Sequence, residues 1–193
     1  MVVDKKDDVI IQTKVKTMTE NSNKLDSTKK KTFKRIKLLF FKLLFISLFI
    51  YVTFGYIFGL KRMNSPYMTP NIKEGDLLFY YRLETKYKVG DVVLIKKDDK
   101  EYILRIVAAA NQEVDINDDE QFLVDGYLEP YTVYYRTGKV KNSNIKYPYK
   151  LSNGEYFVLS DYRLSKNDSR SFMTITKKDI KGKIISKLQV RNL

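Results

Sequence analysis

Between Leu38 and Leu60 the chain runs for 23 residues with one charge, Lys42. As an α-helix rising 1.5 Å per residue, such a run is about 34 Å long and crosses a hydrocarbon core of about 30 Å. Lys42 lies toward the basic end, where its aliphatic stem lets the ammonium reach the headgroups. Lys29, Lys30, Lys31, Lys34, Arg35 and Lys37 precede the run with no acid between them, and Lys61 and Arg62 follow it. That excess of cations before the span places the N-terminus in the cytoplasm and residues 63–193 outside, as in a single-pass protein of the cell membrane. Tyr51 and Tyr56 fit an outer interfacial belt. A cleaved signal peptide fits less well. The run is longer than a typical h-region, and Phe58-Gly59-Leu60 leads straight into Lys61-Arg62 with no small-x-small cleavage pattern.

Ahead of the span, residues 1–28 are polar and show no sustained apolar period, a composition that does not bury enough surface to order itself. With the basic cluster they make a disordered basic cytoplasmic tail over residues 1–37, followed by a transmembrane helix over 38–60 and one extracytoplasmic domain over 63–193.

The chain contains neither Cys nor His. Imidazole acids and bases, thiol nucleophiles and the usual zinc ligands are therefore excluded, and any hydrolysis has to use Ser/Lys, Thr or carboxylate chemistry. No metal and no cofactor are expected. A net charge of +13 invites a nucleic-acid reading. The lysines are scattered, however, and do not cluster beside stacking aromatics, so no nucleic-acid partner is expected. A basic surface against anionic lipid or wall polymer is the simpler account.

The outer segment reads as mainly β. Leu77–Tyr81, Asp91–Ile95, Tyr102–Val107, Phe122–Val124, Tyr131–Tyr135, Tyr156–Leu159 and Ile184–Val190 are short runs rich in β-branched and aromatic residues. Turn pairs separate them, among them Gly75-Asp76, Gly90-Asp91, Asp125-Gly126 and Asn153-Gly154, the last two suited to tight turns with positive φ. The spacing predicts antiparallel, coiled or barrel-like sheets, and no long helical period follows the span.

Four features stand in fixed order from the apolar run onward. Counting that run as the first, they continue with Met68-Thr69-Pro70 and Gly75-Asp76 behind it, Gly90-Asp91 followed by Tyr102-Ile103-Leu104-Arg105-Ile106-Val107, and Ser160-Asp161-Tyr162-Arg163 with Asp168-Ser169-Arg170. This arrangement resembles type I signal peptidase, and the resemblance covers roughly residues 38–193. It implies a signal-peptidase-like β fold and, in active members, a serine activated by a neutral lysine. Residue by residue, the nucleophile position, just before Met68, holds Tyr67, and the base position, just before Arg105, holds Leu104. A leucine neither accepts nor donates a proton. The serine that orients the lysine in the family corresponds to Lys166, and the glycine opening the last motif to Ser160. Ser65 matches a hydroxyl that helps cradle an oxyanion, although a serine before Pro66 also serves as a plain turn residue. Asp168 and Arg170 match a supporting charge pair, for which a purely structural role suffices.

More narrowly, the chain is similar to the inactive signal-peptidase-like proteins of Gram-positive pilus gene clusters. That likeness lies in Leu77–Leu83, Lys146–Lys150, Tyr156–Arg163 and Gln189–Leu193. It implies a non-catalytic accessory or chaperone role in sortase-dependent pilus assembly, with pilin subunits or sortase-assembly proteins as partners. They would bind a relict groove walled by Ser65, Tyr67, Met68, Leu104, Arg105, Ser160, Lys166, Asp168 and Arg170. Nothing in the sequence points to a particular oligomeric state. Two other readings compete. One is an active membrane serine peptidase with a relocated pair, Ser65 or Thr69 with Lys166 or Lys73. The other is a surface adhesin whose contact face uses Tyr127, Tyr131, Tyr134, Tyr135, Tyr147 and Tyr149, although such tyrosines often lie on half-buried strands.

Overall fold

The computed structural model describes residues 5–130, 134–141 and 143–189, with side chains between residues 5 and 30 given at Lys14, Lys16 and Met18. The chain divides into two compact units, residues 1–52 and 53–193.

The first unit is one helix, α1 (Lys5–Val52). The segment expected to be disordered is thus helical from Lys5 onward. The reason is legible in retrospect. Neither Gly nor Pro occurs between Lys5 and Val52, and extending an existing helix avoids the cost of a new nucleus. The stretch long and apolar enough to cross a membrane runs from Lys31 to Ile57, ending in a π-helical turn, Thr53–Ile57.

The second unit is mainly β, and all its strand pairs are antiparallel. A seven-stranded sheet has the order β1-β2-β11-β3-β4-β9-β10, and a four-stranded sheet the order β7-β6-β5-β8. The first comprises β1 (Phe58–Arg62), β2 (Leu77–Tyr81), β3 (Val92–Lys97), β4 (Lys100–Ala109), β9 (Glu155–Leu159), β10 (Ile175–Thr176) and β11 (Ile180–Leu188). The second comprises β5 (Glu113–Ile116), β6 (Phe122–Val124), β7 (Tyr127–Leu128) and β8 (Tyr149–Lys150). A four-residue helix, α2 (Ser169–Phe172), lies between β9 and β10.

Two expectations need correction. Phe58–Leu60, read as the end of the membrane helix, is the start of β1, paired with Tyr81–Phe79. Hydropathy does not separate an apolar helix from an apolar strand, and Gly59 marks the change: a Cβ there would lie 2.2 Å from the Tyr80 ring. The run Tyr131–Tyr135 is not a strand where described, because Tyr134 and Tyr135 form a bend, while residues 131–133 fall outside the described residues.

Three apolar clusters make up the core. Val107, Ala108, Phe122, Ile116 and Phe157 join the two sheets. Val93, Ile95, Leu104, Ile106, Val158 and Ile175 fill the centre of the larger sheet. Met63, Met68, Leu78, Leu94 and Ile103 form the third. The Asp125-Gly126 turn between β6 and β7 has φ of 51° and 82°, the backbone expected of a tight hairpin.

Candidate functional site

The stretch from Ser65 to Pro70 folds around one buried side chain. Pro66, with its φ fixed near the helical value, opens a single 3₁₀ turn over Pro66–Met68, and the Thr69 amide donates to the Pro66 carbonyl at 3.0 Å. The turn drives Met68 fully into the cluster of Met63, Leu78 and Ile103. Tyr67 packs partly on the same cluster, its hydroxyl accepts from Asn167 Nδ2 at 2.8 Å, and its carbonyl accepts from the Tyr162 amide at 2.9 Å. Ser65 is half-buried, and its hydroxyl does not cap the turn. Behind the turn, the Met63 amide donates to Asp76 and the Gly75 amide to Met63, both at 2.8 Å, closing the loop at its base.

β4 runs directly beside this turn, its Ile103 in the same cluster as Met68. Side chains alternate along a strand, so Ile103 and Arg105 point one way and Leu104 and Ile106 the other. Leu104 is fully buried between Val93, Ile106, Val158 and Ile175. Arg105 grips Asp161 with a two-pronged fork, Nε to Oδ1 at 2.8 Å and Nη2 to Oδ2 at 2.6 Å, and donates Nη1 to the Gly90 carbonyl at 2.9 Å. Asn71 Nδ2 joins the same carboxylate at 2.9 Å. Burial pushes the Tyr102 phenol up, and Asp98 and Tyr67 push it further in the same direction.

β9 pairs with β4 only from Arg105 to Ala109, with Leu159 opposite Arg105. Toward the other end, Lys100–Leu104 pairs with β3 alone, and among the described residues no strand takes its second edge. Only Lys100, Glu101 and Tyr102 on that stretch are accessible, Ile103 and Leu104 being buried, so an extended chain can add at this short outer part of the edge. An ion pair between Lys61 and Glu101 lies at its end.

The segment after β9 is held by a buried charge pair. Asp168 is inaccessible to solvent and caps α2, accepting from the Arg170 amide at 3.1 Å, Arg170 Nε at 3.0 Å and Nη2 at 2.8 Å. Ser160, also fully buried, donates its amide to the same carboxylate at 3.2 Å, with its hydroxyl 3.1 Å away. Arg170 further donates to the carbonyls of Gly138 at 3.1 Å and Arg163 at 2.9 Å, and to that of Ser165.

The residues singled out from the sequence thus separate into groups. Tyr67 and Met68 share one cluster, and Ser160, Asp168 and Arg170 one network. Leu104 lies inside the neighbouring core, and the Lys166 side chain is exposed, while its carbonyl accepts from the Ser171 hydroxyl. Lys73 is exposed as well. A lysine that serves as a base must lose its proton near neutral pH, which calls for burial neither has. Of the tyrosines proposed as an adhesive face, Tyr127, Tyr134 and Tyr135 are exposed, the Tyr147 hydroxyl is buried, Tyr149 is half-buried, and Tyr131 lies outside the described residues.

Sequence reasoning passed over Asn167, Asn71 and Asp161, which tie the Tyr67 turn and β4 to the final loop. The signal for Asp161 was present in its own motif. It also missed the pair of Arg163 Nη2 and Glu129 Oε2, at 2.6 Å, since Glu129 stands in no motif.

The family model described as signal peptidase, peptidase S26, matches residues 33–188. The chain belongs to the S26 signal peptidase family. Within it, the chain is 32% identical over 126 residues to a signal peptidase I of Bacillus licheniformis, covering 60% of this chain and 68% of that protein. It is 25% identical over 159 residues to an inactive signal peptidase IA of Staphylococcus aureus, covering 78% of this chain and 90% of that one. A crystal structure of a signal peptidase I from Enterococcus faecalis aligns with a TM-score of 0.41 at 18% identity, over 53% of this chain and 98% of that one. S26 relatives named signal peptidase I and one named inactive therefore both stand among its matches. The local chemistry has to sort this chain among them.

Proposed function

We propose that this protein is a non-catalytic member of the S26 family, anchored in the cell membrane with its β unit outside, that holds an extended segment of an extracytoplasmic client. By the likeness of its motifs to pilus-cluster proteins, the client is a pilin or a sortase-assembly protein. The observation that carries the proposal is Leu104. The position directly before the Asp161-bound Arg105 holds an aliphatic side chain sealed in the core, with no group there to take a proton from a nucleophile. Tyr67 supports it, with its hydroxyl already engaged by Asn167. Recognition is assigned to the accessible, unpaired edge of Lys100–Tyr102, where main-chain hydrogen bonds supply affinity and alternate side chains supply selectivity. The relocated-pair reading finds no such support, because Lys73 and Lys166 both lie in solvent.

The test is a preprotein cleavage assay with the full chain in detergent. No specific product is expected, and cleavage lost on Ser65→Ala would sink the proposal. Deleting the gene is expected to abolish pilus polymers while leaving pilin levels normal, and unchanged polymers count against the assembly role. Restoring Tyr67→Ser with Leu104→Lys measures how much of the peptidase survives around the missing pair.

A further inference from the structure

Residues 113–129 carry seven acids and neither Lys nor Arg, in a chain whose net charge is +13. They fold into β5, β6 and β7, which sets an acidic sheet within a basic molecule. Acids alone make a solvated surface, but these border a cavity of about 300 Å³. Phe122, Leu128, Tyr134 and Tyr135 form its apolar side, and Glu120, Glu129 and Thr137 its polar side. Leu128 and Tyr134 are 59% and 68% exposed. An apolar wall facing a few convergent polar groups is the usual make-up of a binding pocket.

Glu129 gives the pocket its preference. Its side chain is 7% exposed, and Oε2 accepts from Arg163 Nη2 at 2.6 Å. Arg163 is buried and donates Nη1 to Thr137 Oγ1 at 3.3 Å, so it holds two lining residues from behind. Glu129 Oε1 has no hydrogen-bond partner among the described residues. It is not sealed as the Tyr147 hydroxyl and Arg163 Nε are, and it faces the cavity its residue lines. A carboxylate half-paired and this far out of water gains from a second cation. The upward push of burial on the Glu129 carboxyl, which Arg163 does not offset, agrees with that need. Glu120 is exposed at the rim, its carboxyl lying over Gly138, where a Cβ would come within 3.1 Å of Oε1. The tyrosine faces add their own attraction for a cation. Arg136 lines the cavity too, yet it is exposed, and the ion pair of Glu129 is with Arg163.

We propose that this cavity takes a lysine or arginine side chain of a polypeptide partner, its stem along Leu128, Tyr134 and Tyr135 and its cation at Glu129 Oε1 and Glu120. A polypeptide fits better than a small amine because the acids continue across three strands beyond the cavity, where further basic residues of one segment meet them. Tyr135 meets Tyr162 edge-on at 4.9 Å, and the Tyr162 amide donates to the Tyr67 carbonyl, so the cavity adjoins the Tyr67 turn. It shares no residue with the Lys100–Tyr102 edge and holds whether or not a chain adds there.

The peptide acetyl-Gly-Ser-Lys-Lys-Ser-Gly-amide is titrated into the ¹⁵N-labelled full chain in dodecyl maltoside, with amide shifts at Leu128 and Thr137 as the readout. Replacing both peptide lysines by norleucine is expected to weaken binding about tenfold or more, and so is Glu129→Gln. Glu120→Gln and Tyr134→Ser, both at exposed positions, are expected to weaken it without lowering the melting temperature, so the test stands even if Glu129→Gln unfolds. Arg136→Ala should tighten it. Asp118→Asn with Asp119→Asn, exposed acids outside the cavity, should cost much less than Glu120→Gln. Equal binding of the norleucine peptide, or equal loss from the Asp118/Asp119 variant, overturns the pocket in favour of diffuse attraction. Choline or butylamine binding as tightly as the peptide overturns the polypeptide occupant.

Discussion

Arg170 and Asp168 form the most buried ion pair among the described residues, both taken almost wholly out of water. Removing one partner strands a buried charge, at a typical cost of about 3–5 kcal/mol, whereas replacing both with apolar groups of similar volume often costs little. Asp168→Asn and Arg170→Met are each expected to lower the unfolding midpoint in denaturant sharply, and Asp168→Leu with Arg170→Met to recover much of the loss. Equal damage from single and double variants would show that the pair matters for more than its charge. Tyr147 poses the opposite case. Its hydroxyl is buried without a hydrogen-bond partner among the described residues, and burial holds the phenol well above its ordinary range. Tyr147→Phe is therefore expected to leave stability unchanged or raise it by about 1 kcal/mol. Burial also pushes the Glu129 carboxyl up, outweighing the pull of Arg163. A raised acid favours the fold most below its unfolded value of 4.5, and that contribution is lost as pH climbs through the folded value. Relative to wild type, Glu129→Gln should thus gain in melting temperature from acid toward neutral pH, and a flat difference would contradict the assignment.

At the scale of elements, one aromatic ring sets how closely strands approach. A Cβ on Gly59 of β1 would lie 2.2 Å from the Tyr80 ring, and one on Gly182 of β11 would lie 2.6 Å from the same ring and 2.7 Å from the Tyr81 carbonyl oxygen. Both Gly→Ala changes are expected to destabilise by about 1–3 kcal/mol, the usual range for overpacking. Tyr80→Leu should relieve Gly59→Ala, which meets a side chain, and not Gly182→Ala, which also meets backbone. Denaturation midpoints of the double variants decide it.

Much of this architecture was legible beforehand. β2 and β6 lie where their β-branched and aromatic runs place them, and β3, β4, β9 and β11 differ by a few end residues. What escaped was set by neighbours. β1 is apolar and follows the helical stretch directly, so its composition merged with the helix. β7, β8 and β10 have two residues each, too few to show a period. In the site, Leu104 and Tyr67 were visible from their places beside Arg105 and Met68. Asn167 and Asn71 act through a fold that brings distant loops together, which no local pattern encodes.

For the molecule as a whole, orientation is directly accessible. In intact cells a membrane-impermeant maleimide is expected to label Ser152→Cys and to reach Thr17→Cys only after permeabilisation, and the opposite pattern would invert the topology. β4 then links the whole unit. Ile103 enters one apolar cluster, Leu104 and Ile106 a second, and Val107 and Ala108 the third. No cluster can loosen without pulling on that strand, so the β unit should melt in one transition. Amide exchange should slow at Ile116 and Phe122, in the far sheet, whenever a client chain adds to the Lys100–Tyr102 edge. The strand then works as a common spar, and a peptide gripped at one end of it registers as stiffness at the other.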